Sequence, residues 1–155
     1  MSKKDSSVLK LKDLASNKKI SIIYSNFRSQ LNSCIKKSNF LVAVSGGPDS
    51  LALSALSKAY SDEKKNKVSY VLIDHSIRVN SRKEASEVKN LLKKKKIFLT
   101  ILKNKKKINK NIQSNARSIR YELLLNYCNK HKIKFIITGH HRDDQIETFL
   151  IRLSR

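Results

Sequence analysis

Tryptophan is absent from this chain of 155 residues, proline occurs once, and there are only two cysteines and three glycines. Cys34 and Cys128 stand far apart, with no Cys-x-x-Cys and no His/Cys cluster at zinc spacing. That pattern excludes a disulfide framework and a zinc ribbon, and both thiols read as reduced residues on helix faces. No apolar run approaches the roughly 20 residues that a bilayer-spanning helix needs. The N-terminus, Met1-Ser2-Lys3-Lys4-Asp5-Ser6-Ser7, has no apolar core of a secretory signal, and Asp5 and Asp13 speak against an organellar transit peptide. The cytoplasm is the expected compartment, with no membrane contact.

Acidic residues are scarce too. Twelve Asp and Glu face 34 Lys and Arg, a net charge of +22. Such a field favours a polyanionic partner, RNA before others. An AT-rich coding sequence also enriches lysine, so Lys93-Lys94-Lys95-Lys96 and Lys105-Lys106-Lys107 read first as solvated surface.

The scarce glycines are concentrated. Ser45-Gly46-Gly47-Pro48-Asp49-Ser50 holds two of the three glycines and the single proline. It follows the apolar run Phe40–Val44, which reads as a buried parallel strand, and precedes Leu51–Leu56, a good helix former. A strand, a glycine turn and a helix start present free N–H groups and a positive helix end to an anion. Absent Cβ atoms let the backbone approach a phosphate closely, and the Ser45 and Ser50 hydroxyls can add hydrogen bonds. The plainer reading is a tight turn with Asp49 or Ser50 as helix N-cap. The hexapeptide lacks both the Gly-Lys-Ser/Thr ending of a Walker loop and the spaced glycines of the dinucleotide fingerprint.

The hydrophobic period predicts a polar extension over 1–19 and a domain over 20–155. Helices are expected over 22–37, 49–60, 81–95 and 112–130, with a last one from Asp143. Strands are expected over 40–45, 70–75, 97–102 and 135–138. Ser81 with Glu84 three residues on reads as a capping box. Alternating strands and helices imply an α/β fold, an open parallel sheet with helices on both faces. Ligands of such sheets sit beyond the carboxyl ends of the strands, at the switch point.

Polar residues fall at those ends. Asp74-His75-Ser76-Ile77-Arg78 ends the second strand, either placing Asp74 against a nucleotide's base or ribose or forming a simple Asx turn. Arg117 and Arg120, three apart on one helix, suit phosphate or carboxylate recognition, or form a solvated basic face. Gly139-His140-His141-Arg142-Asp143-Asp144-Gln145-Ile146-Glu147-Thr148 is the densest polar block. Helix capping by Asp143 explains part of it. His140 can bind phosphate or move a proton, and Asp144 can orient magnesium or a substrate amine. Zinc ranks low, because the spacing is not His-Glu-x-x-His.

Ser45-Gly46-Gly47-Pro48-Asp49-Ser50 resembles the pyrophosphate loop of the N-type ATP pyrophosphatases. Together with Asp74-His75-x-x-Arg78, Ala116-Arg117-x-x-Arg120-Tyr121 and Gly139-His140-His141-x-Asp143-Asp144-Gln145-x-Glu147-Thr148, it is similar to the tRNA(Ile)-lysidine synthetases. The similar tRNA 2-thiocytidine synthetases carry Cys-x-x-Cys pairs that this chain lacks. The resemblance implies a Rossmann-like fold of the adenine nucleotide alpha hydrolase type, with four strands here and a fifth, C-terminal one missing. It implies ATP and Mg2+ as cofactors and tRNA(Ile) and free L-lysine as partners, and it leaves a homodimer open. Ser45, Gly46, Gly47, Pro48, Asp49, Ser50, Asp74, His75 and Gly139 would bind the nucleotide. Asp144, His140, Arg117 and Arg120 would be catalytic, and Asp49 and Asp144 would hold the metal. The alternatives are another ATP pyrophosphatase, such as a tRNA-thiolating one, or a non-catalytic nucleotide- and RNA-binding remnant.

Overall fold

The computed structural model describes residues 17–36, 38–76, 79–104 and 112–139. Within them, α1 is Lys18–Cys34, β1 Phe40–Val44, α2 Pro48–Lys64, β2 Val68–Asp74, α3 Ser81–Lys94, β3 Leu99–Lys103, α4 Ile112–Lys130 and β4 Phe135–Thr138. The four strands form one sheet in the order β3-β2-β1-β4. Every pairing is parallel: Phe40 lies beside Val68 on one side and Phe135 on the other, and Tyr70 beside Leu99. The expected α/β architecture is therefore present.

Both faces of the sheet are covered, so its strands carry near-continuous apolar residues. Phe40, Val42, Val44, Tyr70 and Leu72 point into a core shared with α1, α2 and α3, where Leu31, Tyr60, Ala85 and Leu92 meet them. Leu41 and Val71 point the other way, against Leu124 and Cys128 of α4. Cys128 is buried there, and burial pushes its thiol up; Cys34 is exposed on α1.

Several boundaries differ from the hydrophobic pattern, among them β2, which begins at Val68, and β3, which begins at Leu99. α1 begins at Lys18 because the Asn17 side chain caps it, accepting from the N–H groups of Lys19 and Ile20 at 3.0 and 3.3 Å. α2 continues through a charged stretch that the pattern marks as a connection, as far as Lys64. Lys58 pairs with Asp62 one turn on, and Glu63 accepts from Tyr24 Oη at 2.8 Å and faces Arg28 at 3.4 Å. Those tertiary bonds extend the helix beyond its apolar residues, and burial together with the Glu63 carboxylate pushes the Tyr24 phenol up. The capping box does not form: Asn80 is the N-cap of α3 and makes no side-chain cap bond, while Glu84 donates its backbone N–H to Asn80 O at 3.0 Å.

Candidate functional site

The chain reverses its winding between β1 and β4. From β1 the sheet grows outward through β2 to β3, and the chain then returns to place β4 on the opposite side of β1. A crevice opens at such a reversal because the connections leaving two adjacent strands diverge. Ser45 follows one of those strands and Gly139 the other.

Gly46 turns with φ +90°, a conformation that suits glycine, and a Cβ there would lie 2.9 Å from Val88 Cγ2 of α3. Gly47 is different. Its φ is −71°, and the nearest atom to a Cβ would be Ser45 Oγ at 3.6 Å. The fold itself leaves room for a side chain at Gly47. Gly139 has the opposite constraint: a Cβ would stand 3.1 Å from the Ser50 backbone nitrogen and 3.2 Å from Asp49 carbonyl carbon. The end of β4 thus presses directly on the first turn of α2.

Ser50 is buried and closes the loop on itself. Its hydroxyl faces the Ser45 N–H and Gly46 N–H at 3.2 Å each and the Ser45 hydroxyl at 3.1 Å, and it donates to Gly47 O at 2.9 Å. Three donors thus converge on one oxygen with two lone pairs and must share it. Neither Asp49 nor Ser50 caps α2: the N-cap is Gly47, without a side-chain cap bond, and Pro48 fills the first helical position. The amide end of α2 therefore lacks a side-chain cap bond, and the one acidic residue of its first turn is Asp49. Asp49 is exposed in that first turn.

A cavity of about 260 Å³ opens behind the loop on the α4 side. Ala43, Val71, Ile73 and Leu124 give it an apolar floor; Ser45, Ser50, Thr138 and Gly139 form its rim. Arg120 and Tyr121 of α4 wall it. Arg120 is partly buried, and no carboxylate pairs with it among the described residues. Burial holds its guanidinium below the ordinary value, Tyr121 opposing and Arg117 adding to the effect. Arg117 instead lies over the Tyr121 ring, 5.9 Å from its centroid. The two arginines therefore divide: one reaches the cavity, and the other stacks on the ring beside it.

Asp74 is buried, and its Oδ1 accepts from Ser76 N–H at 2.9 Å, the plainer Asx turn of the two readings. That turn sets His75 toward α4. Both imidazole nitrogens are buried without a hydrogen-bond partner among the described residues. Burial, then the Arg120 charge, push His75 below its ordinary value against the pull of Asp74. Arg78, His140, Asp143, Asp144, Glu147 and the last expected helix lie outside the described residues. Sequence reasoning missed Thr138 on the rim and Val88 behind Gly46, because both look like ordinary core-facing residues in a linear pattern. On the far side of the loop a second cavity, about 470 Å³, reaches Glu84 and Glu87 of α3. Among the described residues no group of three His, Cys, Asp or Glu could hold a metal, and no helix is long and apolar enough to cross a membrane.

A parallel sheet with an uncapped glycine-loop helix and an arginine-walled cavity at its switch point defines a nucleotide-binding α/β domain of the pyrophosphate-loop kind. The PP-loop domain matches residues 14–155, and the chain belongs to that family. Among curated relatives, a tRNA(Ile)-lysidine synthase of Orientia tsutsugamushi is 45% identical over 115 residues, 74% of this chain and 26% of that protein. The tRNA(Ile)-lysidine synthases of Wolbachia pipientis wMel and Rickettsia akari (strain Hartford) are 39% and 34% identical, over 83% and 86% of this chain and 31% and 32% of theirs. The chain thus spans about a quarter to a third of the length of these relatives. A solved structure, the U34-tRNA thiolase NcsA from Methanococcus maripaludis with its [4Fe-4S] cluster, shares the fold with a TM-score of 0.66. It is 16% identical, over 86% of this chain and 50% of that one.

Proposed function

We propose that this chain is the ATP-binding part of a lysidine-forming ligase acting on tRNA(Ile) with a CAU anticodon. The observation that carries the reading is the loop itself: three donors on one Ser50 oxygen, an uncapped helix end and open space at Gly47. That combination suits a pyrophosphate, and the lysidine synthase relatives supply the substrate class.

In the proposed reaction the O2 of the wobble cytidine attacks the α-phosphorus of ATP, and pyrophosphate leaves. The ε-amine of lysine then attacks C2, and the C2–O2 bond breaks to release AMP. The loop amides and the α2 N-terminus would take the charge building on the leaving pyrophosphate. Arg120, walling the cavity without a carboxylate partner, would meet the α-phosphate or the adenylated oxygen. Arg117 would hold Tyr121, and through it the cavity wall. On the family resemblance, Asp144 orients the lysine ammonium and His140 contacts phosphate. Mg2+ would neutralise phosphate charge, with Asp49 and Asp144 as its carboxylates. The described residues do not by themselves form a site for it. The reading places residues 20–155 in the catalytic domain and the protein in the cytoplasm, where tRNA, lysine and ATP meet.

The test is a chimaera in which this chain replaces the matching segment of the Orientia tsutsugamushi relative. Labelled lysine should enter a tRNA(Ile) transcript with a CAU anticodon, depend on ATP, and stay out of one carrying uridine at that cytidine. A folded chimaera that releases pyrophosphate on another substrate but transfers no lysine would sink the lysidine reading.

A further inference from the structure

We propose that the end of the sheet opposite the glycine loop is a second RNA-binding face, built to take a single-stranded stretch. The inference stands independently of the ligase reading, because it uses no residue of that site.

In a parallel sheet every helix-to-strand turn falls on the same end, the one from which the strands start. Here each of those turns is lysine-rich. Lys36 precedes β1, Lys65 and Lys67 precede β2, Lys96 precedes β3, and Lys132 and Lys134 precede β4. All are exposed. No salt bridge engages them among the described residues. The four turns gather this charge into a basic track at one end of the sheet, three descending from helices on one face and the fourth from α4 on the other.

The residue type at the turn apices is unusual for its conformation. Lys36, Lys65, Lys96 and Lys132 all have positive φ, from 53° to 60°. That left-handed conformation after a helix belongs by preference to glycine. Lysine costs stability there, and what it adds is a positive charge at each turn. The turns before β1 and β2 are also tied together. Asn66 Nδ2 donates to Lys36 O at 3.2 Å and Ser38 O at 2.9 Å, and Lys67 N–H donates to Asn39 Oδ1 at 3.2 Å. The backbone that carries Lys36, Lys65 and Lys67 is therefore held in place.

Phe98 makes the choice of partner. It is 78% exposed at the β3 end of the track, beside Lys96. Its neighbours Ile97 and Leu99 are 2% and 4% exposed, so the core anchors both flanks and holds the ring outward. A fixed ring beside a row of cations offers an unpaired base a stacking surface while its phosphates meet lysine. A duplex has no free base face to give, so the ring suits an unpaired stretch.

Two variants of the chain separate the contributions, read by fluorescence anisotropy on a short fluorescein-labelled oligouridylate. Phe98→Ala should weaken binding roughly fivefold to a hundredfold with an unchanged salt slope. Lys36→Gly, Lys65→Gly, Lys96→Gly and Lys132→Gly combined should flatten the plot of log affinity against log salt by about 0.7 for each phosphate that is no longer neutralised. Glycine suits these turns, so that variant should be at least as heat-stable as the parent, and misfolding would not mimic the effect. Saturating ATP should leave oligouridylate binding intact. Wild-type affinity and slope in both variants would overturn the proposal, as would displacement of the oligonucleotide by ATP. Binding to phosphatidylserine vesicles with none to oligouridylate would assign the face to lipid and overturn it equally.

Discussion

Gly139 and Ser50 touch across the switch point: a Cβ on Gly139 would lie 3.1 Å from the Ser50 backbone nitrogen. The close of β4 therefore sets the position of the first turn of α2, and with it the hydroxyl on which the loop amides converge. Gly139→Ala should push that turn outward, costing about 1–3 kcal/mol of stability, in the range of an overpacked core site. ATP affinity should fall with it. Calorimetric titration of ATP and a denaturant melt would check both, and a variant with parental stability would show that the contact relaxes freely.

The two loop glycines should respond differently to valine. Gly46→Val meets both a φ of +90° and Val88 Cγ2 at 2.9 Å, so it should cost roughly 2–5 kcal/mol. Gly47→Val has space within the fold and should melt close to the parent while losing ATP binding. Equal stability loss in both variants would contradict the assignment of Gly47 to ligand clearance.

Ser50→Ala removes the acceptor shared by Ser45 and Gly46. Leaving part-buried N–H groups without it costs about 1–3 kcal/mol. The loop should loosen, seen as faster amide exchange at Ser45 and Gly46 and weaker ATP binding. Unchanged exchange at both amides would mean that the hydroxyl is dispensable to the loop.

His75 gives a stability dependence on pH with a definite sign. Its imidazole is held below the ordinary 6.5 by burial and by Arg120. Above that value both folded and unfolded states are neutral at this residue, and stability is full. As pH falls below about 6.5, the unfolded state binds the proton first and stability declines, until the folded imidazole also protonates. Denaturant melts between about pH 7.5 and 5 should show this decline, and His75→Leu should flatten it. An anion beside Arg120 would relieve the repulsion, so ATP should shift the His75 titration upward, measurable by NMR. An upward shift without ATP would refute the burial argument.

The strands were legible because each is a short apolar run, β1 most plainly with its residues buried on both faces, whereas their order, and so the switch point, shows only in the structure. What escaped was set by contacts distant in sequence. α2 runs to Lys64 because Glu63 meets Tyr24 and Arg28 of another helix. Arg117 and Arg120 look alike at three-residue spacing, yet Tyr121 captures one and the cavity the other. The capping box at Ser81 failed because Asn80 opens the helix one residue earlier. The Asp74 turn, by contrast, is local chemistry and was readable as one of two outcomes.

The strand order also has a kinetic side. β1 pairs with β2 only 28 residues on, counting Phe40 to Val68, whereas its pairing with β4 joins Phe40 to Phe135, 95 residues apart. Closing the longer loop costs more entropy and its rewards come late, so β1, β2 and β3 should assemble first and β4 last. The crevice at β1 forms only once β4 has paired beside it. The proposed ATP site depends on that pairing, so ATP should act as a clasp on β4, slowing amide exchange in Phe135–Thr138 more than in Phe40–Val44.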